Sequence, residues 1–227
     1  MIQVIYLFLA VLMGGGLIFF GIGGGSGSGG LLNAVNQNSG SANGSKVYAN
    51  NVRVAQRRTV QTPNDPTAWA ALARAQFQVA NTADNFDQGT GAFTAKGKTV
   101  LLQVRSSWLR YLSLKPAKPD SDLASEVVQA LAGLADYTAA TAAQEIVLMG
   151  DPSSGAQYSR LAILAYLAGQ TRKGDLSAAK AVSLAPKDQR AQVKQQLASD
   201  KTQALQQVAA QAQKQPGVAT GSQLPNG

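Results

Sequence analysis

A pattern of apolar and small residues returns after 34 residues in the second half of this chain, and that interval restricts the fold more than any other feature. Residues 155–170 carry Tyr158, Leu161, Ala162 and Ala165 on one helical face and close at Gly169. A second helical run, residues 176–184, follows a turn around Gly174 and stops at Pro186. Thirty-four residues earlier stand Ala124, Val127, Val128, Leu131 and Ala135, and Pro152 stands 34 before Pro186. Small or apolar residues keep the same phase at Ala140 and Gly174, and at Val147 and Ala181. A unit of two short helices cannot bury its apolar face alone, so repetition at this period predicts helical hairpins stacked into a solenoid. No sustained period-two run rich in Val, Ile and Thr competes with that reading, and the body is expected to be all-α.

An earlier unit opens at Asp65-Pro66, a carboxylate placed to accept the first orphan amides followed by the residue best suited to a first helical turn. It places Trp69, Leu72 and Ala73 at the pattern positions and ends through Trp108, Leu112 and Leu114 at Pro116. It exceeds the period by about 19 residues, an excess assigned to an Asn-, Asp-, Gly- and Thr-rich loop at 81–99. Together these residues resemble tetratricopeptide repeats, whose first helix carries Trp, Leu-Gly and Tyr positions and whose second ends in Pro. The unit 155–188 carries the pattern best, through Tyr158, Leu161, Ala162, Gly169, Ala181, Leu184 and Pro186; unit 121–154 has Ala124 and Gln144 where large aromatics are expected. The resemblance implies about three repeats, 66–118, 121–154 and 155–188. Around them are expected a partial helix near 47–60 and a Gln- and Lys-rich capping helix at 187–213, the whole domain covering 46–213.

Not one charged side chain precedes Lys46. Residues 2–22 are apolar or glycine apart from Gln3, long enough as a helix to span roughly 30 Å of hydrocarbon, so 1–22 is expected to be a transmembrane anchor. A cleaved leader would open with Lys or Arg and carry a shorter apolar run. Ala10 and Gly14 have the small-xxx-small spacing through which membrane helices associate, which raises a homo-oligomer as a second, structural reading. Residues 23–45 are rich in Gly, Ser and Asn and read as a flexible linker; residues 214–227 read as a disordered tail. Neither Lys nor Arg falls within about 15–20 residues of the apolar stretch, so the positive-inside rule decides little. Lys46, Arg53, Arg57 and Arg58 beyond that window point to a cytoplasmic body, whereas the low charge and abundant Asn, Gln, Ser and Thr resemble exported proteins; both sides stay open for this single-pass protein, with a slight preference for the extracytoplasmic one.

Chemistry is restricted by omission. The chain has no Cys and no His, which removes disulfides, thiolate nucleophiles, Ser-His-Asp triads and the commonest metal ligand. The stretch 91–99 has five residues between Gly91 and Gly97-Lys98-Thr99 and no preceding strand, so it fails as a phosphate-binding loop. Asp84 and Asp87 lack the alternate ligand spacing and terminal Glu of a calcium loop and read as turn formers. Asp122 and Glu126 share a helical face and are the one carboxylate pair that could serve an enzyme, but acids in a first helical turn ordinarily answer the helix dipole. The expectation is a protein that is not an enzyme and holds no cofactor or metal.

The net charge of +8 is unevenly placed. Residues 46–118 carry eleven basic and three acidic side chains, residues 119–150 none and five, and residues 151–227 nine and four. Basic residues are not interleaved with exposed aromatics, which argues against nucleic acid. The expected partners are other proteins or peptides, together with the bilayer that holds the anchor. The resemblance implies docking on the concave side of the first helices, near Arg74, Phe77, Arg160 and Ile163. Where carboxylate-clamp members of that family carry Lys, this chain has Ala70 and Ala156; Arg74 replaces their Asn, and Arg160 alone matches.

Overall fold

A computed structural model describes residues 41–214. The expected anchor with Ala10 and Gly14, the linker up to residue 40 and the tail beyond Lys214 lie outside the described residues. Eight α-helices and one short antiparallel strand pair make up the described part: α1 (Ser41–Gln61), α2 (Pro66–Ala80), β1 (Phe86–Asp87), β2 (Ala92–Phe93), α3 (Ala95–Ser113), α4 (Ser121–Gly133), α5 (Tyr137–Gly150), α6 (Gly155–Leu167), α7 (Thr171–Leu184) and α8 (Arg190–Lys214). The body is all-α, as the periodicity predicts.

Local chemistry fixes the helix ends. Asp65 accepts from the Thr67 amide at 2.8 Å, with Pro66 behind it in the first turn. Asp120 accepts from the amides of Asp122 at 3.0 Å and Leu123 at 2.9 Å, and Ser154 accepts from Gln157 at 3.3 Å. Each such cap is worth about 1 kcal/mol. The starts of α4 and α6 lie 34 residues apart, and so do their ends. At the end of α4 the Asp136 amide reaches Leu131 O at 2.9 Å and the Ala135 amide reaches Ala132 O at 2.9 Å; at the end of α6 Gln170 reaches Ala165 O at 2.8 Å and Gly169 reaches Tyr166 O at 3.0 Å. The same pair of C-terminal bonds is thus made in phase, and both turns need a left-handed residue: Ala135 at φ 57° and Gly169 at φ 72°.

Consecutive helices pack as hairpins, α2 on α3, α4 on α5 and α6 on α7. The main core lies among α2 to α5, where Leu101, Val104, Leu123, Val127, Val128 and Leu131 are fully buried and Trp108 stacks on Tyr111 with ring centres 5.3 Å apart. Leu164 of α6 joins this core, while Ala162 and Tyr166 on the same helix face a second one closed by Ala181 of α7 and by Leu197 and Ala204 of α8. On the other side α1 covers Leu72 and Ala75 of α2 with Val52 and Ala55. Gly174 is required by a close approach, since a Cβ there would collide with Cδ1 and Cε1 of the buried Tyr166 ring.

Two boundaries differ from the sequence reading. Residues 41–45, assigned to the linker, form the start of α1. The inserted loop ends at Thr94 rather than Thr99, because the Thr94 hydroxyl caps α3 by accepting from the Gly97 amide at 3.1 Å. Gly97 is a helical residue whose missing side chain lets the carbonyl of Asn85 approach the helix. The extra length of the first unit is therefore shared between the insertion and a 19-residue second helix. Within the insertion, Phe86 pairs with Phe93 and their rings meet edge to face at 5.0 Å, a strand pair too short to show as alternation. Asp87 holds the connecting turn by accepting from the Gly89 amide at 2.8 Å, the role expected of it.

Candidate functional site

The first helices of the hairpins start from equivalent caps, Asp65, Asp120 and Ser154. Counting nine residues from each reaches Arg74, Gln129 and Ile163; counting six reaches Ala71, Glu126 and Arg160. These positions form the candidate docking face, and α2 and α4 pack directly against one another along it.

Arg74 works within this face. Its Nη2 lies 3.1 Å from Asp120 Oδ2 and its Nε 3.4 Å from Glu126 Oε1, so one guanidinium ties the middle of α2 to the cap and second turn of α4. Arg74 retains 38% side-chain exposure, enough to meet solvent while paired. The second oxygen of Glu126, Oε2, is buried and accepts no hydrogen bond from the described residues. Burial pushes the Glu126 carboxyl above its ordinary range; Arg74 pulls it back, and the nearby charges of Asp120 and Asp122 add to the rise. Asp122 is exposed at the helix start. The carboxylates read as a pair from the sequence are thus divided, one in solvent and one held by Arg74.

The other expected contact residues fall differently. Phe77 is 8% exposed and packs in the main core, so its ring is not available to a partner; the helix faces α3 and α4 at that position. Ile163 is half-buried and packs on the second core. Arg160 is half-buried, and loss of hydration holds its guanidinium below the ordinary arginine value. Ala10 and Gly14 lie outside the described residues.

Two open depressions occur elsewhere. One, about 780 Å³, lies over the turn between α6 and α7, with Leu161, Gln170 and Leu176 in its lining; Lys173 at its edge pairs with Glu145 at 2.6 Å. The other, about 450 Å³, lies between α7 and α8. There Tyr166 donates its hydroxyl to Asp175 Oδ1 at 2.8 Å, and Lys201 Nζ lies 2.7 Å from the same oxygen and 5.5 Å over the Tyr166 ring. Burial and Asp175 raise the Tyr166 phenol, while Lys201 and Tyr166 lower Asp175. This linkage fastens α8 to the preceding hairpin. Residues 26 apart in sequence carry it, with no spacing signal to reveal them.

Gln144 explains a departure from the expected pattern. It is fully buried and donates to the Gln157 backbone oxygen at 3.3 Å and side-chain oxygen at 2.8 Å, joining α5 to α6 where an aromatic was expected. Among the described residues no group of three or more acidic residues is placed to hold a metal ion, and no helix is long and apolar enough to cross a membrane. Set against known protein families and curated proteins, the chain matches no family model and no curated sequence.

Proposed function

We propose that this chain is a membrane-anchored scaffold of the tetratricopeptide type, which docks other proteins or peptides on the face of its first helices. The observation that carries the reading is the phase of α4–α5 and α6–α7: caps, left-handed turns and C-terminal bonds repeat at 34 residues. A fold built this way uses its length as a surface rather than a pocket. The docking face offers Arg74, Glu126, Gln129 and Arg160, a mixture of both charges and an amide suited to a polar or mixed-charge peptide. Phe77 is withdrawn from the proposed contacts because it serves the core. The apolar, uncharged residues 1–22 supply the anchor.

A photo-crosslinking residue introduced at Gln129 in the membrane-bound protein tests this reading, with Leu102 and Leu109 on α3 as controls. The expected outcome is one partner captured from the first-helix position and lost on Arg74→Ala. Capture at the α3 positions alone would move the docking surface to the second helices and overturn the proposal. Extraction of the full chain from membranes by alkaline carbonate would contradict the anchor.

A further inference from the structure

The helix α1 has three stripes with different contents. Tyr48, Val52, Ala55 and Thr59 follow helical spacing on the side turned to α2 and are buried or half-buried. On the opposite side Lys46, Asn50, Arg53, Arg57 and Val60 succeed one another at intervals of four and three, all exposed. Beside them runs a third exposed stripe, Val47, Asn51, Val54, Arg58 and Gln61. The helix contains four basic residues and no acid. The acid that meets it from the following helix is Asp65, which accepts from Arg58 at 3.4 Å and is otherwise engaged by Thr67. From α3, Arg110 approaches the same corner and donates to Pro63 O at 3.3 Å, adding a further positive charge.

The valines are the second observation. Val47, Val54 and Val60 are 58%, 49% and 81% exposed. A face that only stood in water would gain nothing from them, since Val is a weaker helix former than Ala, Gln or Lys. Exposed apolar residues interleaved with Lys and Arg suit one environment in particular. At a bilayer surface valine enters the boundary between headgroups and acyl chains while the long basic side chains extend to the phosphates.

We propose that the outer face of α1 docks on an anionic phospholipid surface, laying the solenoid's first helix along the membrane. The inference rests on the anchored reading only for proximity, since a flexible linker of the length of residues 23–40 has a typical reach of roughly 25 Å. A duplex nucleic acid is the rival polyanion, but it would leave the three valines without a role.

The absence of Cys permits a clean test with the full chain. An environment-sensitive fluorophore is attached at Val54→Cys, and in a control at Leu176→Cys on α7, and the protein is mixed with vesicles of phosphatidylcholine alone or with phosphatidylglycerol added. The label at position 54 is expected to shift to the blue with the anionic vesicles only, and the label at position 176 with neither. Each basic residue near such a surface contributes about fivefold in partition, so Arg53→Gln with Arg57→Gln should weaken the response roughly 30-fold. A label at 54 that stays aqueous with anionic vesicles overturns the proposal, even where the chain resists carbonate extraction and the anchor therefore holds. A label at 54 protected by duplex DNA but not by vesicles overturns it as well.

Discussion

Ala135 and Gly169 occupy the same place in successive hairpins, yet only one of them suits the backbone it adopts. Ala135 closes α4 at φ 57° and Gly169 closes α6 at φ 72°. A left-handed non-glycine residue costs about 1–2 kcal/mol, because Cβ crowds the following carbonyl oxygen. Glycine avoids that strain but loses about 0.4–1 kcal/mol through the greater freedom of its unfolded chain. The balance favours Ala135→Gly by about 0.8 kcal/mol and disfavours Gly169→Ala by the same amount. Space does not interfere at Gly169, where a Cβ would meet nothing within 4 Å, so its effect is purely conformational. For a domain of this size 1 kcal/mol moves Tm by about 2–4 °C. Thermal unfolding followed by circular dichroism should therefore place Ala135→Gly about 2–3 °C above the parent and Gly169→Ala about the same interval below. If both variants melted with the parent, the two turns would not be held left-handed, and the in-phase C-terminal bonds on which the repeat rests would be wrong.

In an open helix Gly→Ala gains about 1 kcal/mol, but at Gly174 the new methyl would enter the Tyr166 ring, so Gly174→Ala should lose about 1–3 kcal/mol in urea unfolding. Trp108→Ala, at a side chain only 3% exposed, should cost about 3–5 kcal/mol by the same assay. Glu126 binds its proton more tightly folded than unfolded, so its contribution to stability is present below pH 4.5 and is lost as pH rises through the raised folded value. Glu126→Gln should flatten that part of the Tm-versus-pH curve, and an unchanged curve would contradict the burial of Oε2. Asp175 behaves oppositely: its folded value lies below 3.8, so its contribution holds above 3.8 and disappears as pH falls through the folded value. Asp175→Asn should remove that acid-side loss and increase hydrogen exchange in α8, where Lys201 is released.

Short-range chemistry was readable from the residues alone. Asp65 before Pro66 marks the start of α2, Gly169 and Pro186 mark the ends of α6 and α7, and the 34-residue phase gives the hairpins their order. What the residues did not reveal depends on partners distant in sequence. Gly97 has the appearance of a helix breaker until Asn85 is seen packed where its side chain would be. Phe77 occupies a first-helix position suited to a docking face, but the neighbouring hairpin covers it. Arg74 is 46 residues from the carboxylate of Asp120, and no local spacing announces the ion pair. Ala135 is hidden for a different reason: an alanine does not advertise a left-handed turn, and only its phase with Gly169 points to one.

The helix α6 lends Leu164 to one core and Ala162 and Tyr166 to the other. A party wall of this kind cannot be removed without unroofing both rooms. Loss of α8 would first expose Leu197's partners on the C-terminal side while leaving Trp108 and its neighbours enclosed. Denaturation should therefore progress inward from the C-terminus, with α7 and α8 released first and α6 last to separate from the N-terminal core. A load entering through the N-terminal end would meet α1 first, held by Val52 and Ala55 against Leu72 and Ala75, and only behind it the large core of α2 to α5; a partner gripping α8 would hold the outer layer at the other end.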